Sequence, residues 1–94
     1  MDIVDFIPRG EGNAISRRSL TRFTGKTDRE VRYMIAKARR EVPILSFGNG
    51  YFIPTEQERD KARRWYRQEA KRARSIFYAA KAAKEFGDED IHKR

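Results

Sequence analysis

Ninety-four residues, 38% apolar and 12% aromatic, make one small domain with a single modest core and exclude a fully disordered chain. There is no cysteine, which excludes disulfides and thiolate metal sites, and no apolar run approaches the ~20 residues of a membrane span. The formal net charge of +8 points to a polyanionic partner and says nothing about fold.

In chain order, residues 2–7 read as a short helix with Ile3, Phe6 and Ile7 on one side, ended by Pro8 and the glycines at 10 and 12. Asp2 and Asp5 stand where a secretory signal would have a basic flank, so a soluble, cytoplasmic protein is expected. Residues 13–15 read as a brief extended segment. Ser16 then N-caps a helix whose Leu20 and Phe23 face inward, and Gly25 stops it, because glycine enters the left-handed conformation cheaply. Thr27 opens the next helix, with Glu30 three residues on completing a capping box. Val31, Met34, Ile35, Ala38 and Val42 share its buried face, and the helix, expected over 28–41, ends before Pro43. Residues 44–47 and 51–53 read as two strands joined by Gly48-Asn49-Gly50, a hairpin turn. Thr55 and Glu58 form a second capping box, and a helical pattern runs from there to Phe86, where Gly87 stops it. About thirty helical residues reach ~45 Å, more than the rest of the domain is wide.

The expected fold class is therefore mainly α with a small β-hairpin. Residues 1–54 form a winged helix-turn-helix, 55–87 a long C-terminal helix for core completion or dimerisation, and 88–94 a flexible tail. Charge follows this division. Nine Lys/Arg lie within 17–40 against Asp28 and Glu30, ten lie within 59–84 against Asp60 and Glu69, and 43–54 carries none.

With the apolar stripe of the second helix buried, Arg29, Arg32, Tyr33, Ala36, Lys37 and Arg40 point outward. A helix presented to the major groove reads bases with its first turns, so Arg29, Arg32 and Tyr33 are the candidates for base contacts. Lys37 and Arg40 suit phosphates, as do Lys26 and Thr27 at the helix N-terminus, where free amides and the dipole favour an anion. Arg17, Arg18 and Arg22 on the preceding helix suit phosphates at the groove's flank. Phe47, Asn49 and Tyr51 of the wing are candidates for the adjacent minor groove, although wings that do this often carry Arg or Lys.

Residues 15–54 resemble the biotin-repressor-like winged helices of bacterial regulators. Ile15, Ser16, Arg17 and Leu20 match the start of that pattern, and Asp28, Arg29, Val31, Arg32 and Ile35 match its second helix. Pro43, Ile44, Gly50 and Tyr51 match its wing. Val42 departs from it, standing where many relatives have glycine. The whole chain, with its Asp-Phe-Ile-Pro-Arg-Gly start and basic helical tail, also looks like small prophage-encoded DNA-binding proteins of Gram-positive bacteria. The resemblance implies sequence-specific binding of double-stranded DNA in phage or prophage transcription or replication, with Arg29, Arg32 and Tyr33 in the base-reading role.

In the long helix Trp65, Tyr66, Ile76, Phe77 and Phe86 lie on or near one stripe. Trp65, Tyr66 or Ile76 are expected to fold back on Phe6 and Ile7, and the surplus length could pair with a second copy. The alternative function is a protein-interaction module, in which the winged helix is a scaffold and the basic helix recruits an acidic partner. No catalytic residues, cofactor, metal site, membrane or small-molecule ligand are expected. The single histidine, His92, lies in the tail, where Asp88, Glu89 and Asp90 are better read as solvated than as metal donors, and neither glycine cluster has phosphate-loop spacing.

Overall fold

A computed structural model describes residues 2–92, with side chains described through Glu89. The chain is mainly helical, with one two-stranded antiparallel hairpin and a long C-terminal helix. The Asp2 carboxylate accepts from the Val4 amide and opens a 3-10 turn, Ile3–Phe6, that buries Ile3 and Ile7. Helix α1, Arg17–Thr24, starts at Ser16, whose hydroxyl accepts from the Ser19 amide, and stops at Gly25 in the left-handed region at φ 71°. Helix α2, Asp28–Ala38, starts at Thr27 with both halves of the capping box formed. These are the starts and the stop expected from local chemistry.

The hairpin pairs β1, Leu45–Ser46, with β2, Tyr51–Phe52, in the register Leu45 to Phe52 and Ser46 to Tyr51. The N-terminal segment lies along its other edge. Ile15 and Tyr51 exchange both backbone hydrogen bonds at 2.9 and 2.7 Å, while Ile53 donates to Pro8 and accepts from Gly10. Gly50, at φ 124°, is required here for a second reason. A Cβ on it would lie 2.5 Å from the Ile15 carbonyl oxygen, so only glycine lets the strands close.

Successive side chains of a strand point to opposite faces. Ile44 and Ile53 join Ile3, Ile7, Leu20, Val31 and Ile35 in the main core. Leu45 and Phe52, one residue along on each strand, are also buried, and helix α3, Arg59–His92, lies against β1. The hairpin is thus covered on both faces, which explains why it carries no charge.

Several expectations need correction. Asn13 closes a 3-10 turn, Glu11–Asn13, so that of residues 13–15 only Ile15 pairs as a strand would, and the strands are shorter than the expected 44–47 and 51–53. Phe23 is 63% exposed and does not face inward. Helix α2 ends at Ala38 and not at 41, because the chain tightens into turns in which Glu41 and Val42 both donate to the Ala38 carbonyl. A helix is in any case disfavoured at the residue before Pro43. Helix α3 meets the hairpin and the end of α2, where Trp65 stacks on Arg39, whereas Tyr66 and Ile76 are 70% and 63% exposed. Finally, α3 does not stop at Gly87. It runs 34 residues to His92, so residues 88–92 are helical, not a loose tail. One glycine costs an exposed helix only ~1 kcal/mol, and a Lys81–Glu85 pair before it and a Lys84–Asp88 pair across it support the helix there. Lys93 and Arg94, and the side chains of Asp90 and His92, lie outside the described residues.

From Lys71 to Glu89 every residue of α3 is exposed, so the distal half projects from the body. The molecule measures 57 × 32 × 21 Å. No helix among the described residues is long and apolar enough to cross a membrane.

Candidate nucleic-acid interface

The outer face of α2 follows from its buried one. Val31 and Ile35 are locked in the core, with Met34 and Ala38 at its margin, which leaves Arg29, Arg32, Tyr33, Ala36 and Lys37 exposed in helical register. Arg40 continues that face in the turn after the helix. Lys26, Arg29, Glu30, Tyr33 and Met34 line a shallow groove of about 500 Å³ at the start of α2. Thr27 is exposed there, but its hydroxyl already accepts from the Glu30 amide. Glu30 in turn accepts from the Thr27 amide. The Thr27 amide first, then the Thr27 side chain and Lys26 nearby, hold the Glu30 carboxyl below its ordinary pKa.

Asp28 organises two of the candidate cations. Its carboxylate accepts from Arg17 Nε at 2.5 Å and pairs with Arg32 Nε at 3.0 Å, tying the start of α1 to the first turns of α2. The Tyr51 hydroxyl, then Asp28, raise the Arg17 pKa. Arg32 and Arg17 are therefore held, not free. By contrast, no ion pair among the described residues reaches Arg18, Arg22, Lys26, Arg29, Lys37 or Arg40. Arg18 and Arg22 share one exposed side of α1.

Of the three hairpin candidates, only Asn49 is exposed. Phe47 packs on Phe52 with ring centroids 6.2 Å apart, and the Arg64 guanidinium of α3 lies 4.5 Å from its centroid. Tyr51 is half-buried beneath Arg39, 5.6 Å from its centroid. Both aromatics are engaged within the fold. Arg39, the one cation of the 17–40 set that is not a candidate contact, is also internal. It sits between the Tyr51 and Trp65 rings, 4.7 Å from the latter's centroid, and donates to the Ile44 carbonyl at 2.8 Å.

Sequence reasoning missed the roles of Asp28 and Arg39. The Asp28–Arg32 pair was accessible from its four-residue spacing. The Arg17–Asp28 pair and the Arg39 sandwich each join separate elements and carry no local signature.

No family model, curated protein or solved structure matches the chain.

Proposed function

We propose that this chain is a winged helix-turn-helix protein that binds double-stranded DNA with α2 in the major groove. The supporting observation is a cluster of exposed cations that make no ion pair among the described residues: Lys26 before α2, Arg29 and Lys37 on it, and Arg40 in the turn after it. Arg29 is the residue free to meet guanine in bidentate fashion, and Tyr33 stands beside it. Arg32, aimed by Asp28, is the second base reader. Lys26, Lys37, Arg40, Arg18 and Arg22 meet phosphates. Phage or prophage transcription or replication is the setting suggested by the resemblance of residues 15–54 and of the flanks.

The test is fluorescence anisotropy of a random-sequence duplex titrated with the protein at several salt concentrations. Five phosphate-neutralising cations would give a log–log salt slope of about −4.5. The Arg29→Ala/Arg32→Ala variant, checked for unchanged helicity, is expected to bind at least about tenfold more weakly. Absence of binding at low salt, or binding that the variant leaves intact, overturns the reading and favours recruitment of an acidic protein.

A further inference from the structure

We infer that the distal half of α3, residues 73–87, is the contact face for a second copy of this chain running antiparallel to the first. Ile76, Phe77 and Phe86 are 63%, 64% and 72% exposed, on a stretch of helix that no other described element covers. Exposed apolar side chains clustered in this way mark an interaction surface. Their arrangement is regular. Ala73, Ile76, Ala80, Ala83 and Gly87 alternate by three and four residues, which makes a continuous seam, with Phe77 on one flank and Phe86 on the other. Seven-residue steps back from Ile76 reach Glu69 and Ala62, which are partly buried where α3 meets the body. The face that docks in the first half thus continues uncovered in the second.

Charge selects the occupant and its direction. Lys71, Arg72 and Arg74 sit at one end of the seam, and Glu85, Asp88 and Glu89 at the other. Antiparallel overlap centred on Ala80 sets the basic end of one helix level with the acidic end of the other, and Ala73 with Gly87. It also brings Phe77 beside Lys84 of the second copy, and Phe86 beside its Arg72, pairing each aromatic with a cation. A parallel pair would stack like charges. It would also drive the second globular body into the space held by the first, since each body lies on the seam side of its helix. The small side chains at 73, 80, 83 and 87 allow the axes to approach to about 8 Å.

This inference does not depend on DNA binding and is tested without it. Sedimentation velocity of the full chain at about 100 µM should give twice the 11.1 kDa chain mass. Ala80→Glu, which sets two carboxylates together at the symmetry axis, should give the monomer with unchanged circular dichroism. Tyr78→Glu, on the opposite side of α3, should stay dimeric. Because the chain has no cysteine, Ala73→Cys and Gly87→Cys report direction. Mixed and oxidised, they should cross-link to each other, and Ala73→Cys alone should not. A monomeric wild type, a dimeric Ala80→Glu, or efficient self-cross-linking of Ala73→Cys would each overturn the proposal.

Discussion

At the residue scale Asp28 carries the most information about how the candidate surface is set. An acidic side chain in the first turn of a helix is favoured by the dipole and the free amides. Here it also draws two guanidinium groups onto itself, and so lowers the charge available to a polyanion. Asp28→Ala raises the formal net charge by one and frees Arg17 and Arg32. It should tighten binding to random-sequence duplex and steepen the salt slope by about one to two. Discrimination between sequences should fall, because Arg32 loses the acceptor that aims it. Anisotropy with matched random and selected duplexes measures both effects, and weaker binding to both would refute this role. Half of this constellation was legible in the sequence. An acid four residues before a base can be read from spacing, whereas Arg17 finds Asp28 only because Gly25 turns the chain between them.

At the element scale the capping chemistry was almost fully legible, since a cap is a contract between residues three positions apart. Thr27 with Glu30 and Thr55 with Glu58 were both readable, as were Ser16 and Gly25. Two boundaries were not. The end of α2 depends on where Ile44 must join the core, and the continuation of α3 past Gly87 depends on nothing requiring the chain to turn there. Burial was misjudged at Phe23 for a related reason: periodicity offers a helix two apolar positions, but the neighbouring elements cover only Leu20.

The capping glutamates also predict a pH response. Glu30 is held below the ordinary value of 4.5 by the Thr27 amide, then by the Thr27 side chain and Lys26. Glu58 is held below it by the Thr55 amide, then by the Glu11 amide and Lys61. A folded-state pKa below the unfolded one adds stability that is complete above pH 4.5 and is lost as pH falls through the folded values. Thermal melting of the wild type should therefore fall off below pH 4.5, and Glu30→Gln/Glu58→Gln should show a shallower acid decline from a lower starting point. Parallel declines in the two proteins would refute the assignment.

At the scale of the whole molecule, Arg39 joins three successive elements, the end of α2, the hairpin and α3. Its guanidinium lies between Tyr51 of the hairpin and Trp65 of α3, and its Nε–H caps the Ile44 carbonyl after α2. Loss of two partly desolvated cation–π contacts and one partly buried hydrogen bond should cost about 2 kcal/mol. Arg39→Ala should accordingly lower the melting temperature by about 8–16 °C. Arg39→Lys should recover little, since an ammonium does not stack between rings. A shift within a degree or two for the alanine variant would show that the sandwich contributes nothing. The uncharged hairpin was visible in the sequence as an oddity. Its cause was not, because the covering helix begins only after the hairpin has ended and nothing local says which face it will take.

Anchoring α3 at Trp65 has a mechanical consequence. Ala80 lies fifteen residues further on, a lever arm of about 22 Å in a straight helix. Tilting that arm by about ten degrees moves its tip by about 4 Å. A small adjustment at the Arg39–Trp65 contact is therefore magnified at Ala80.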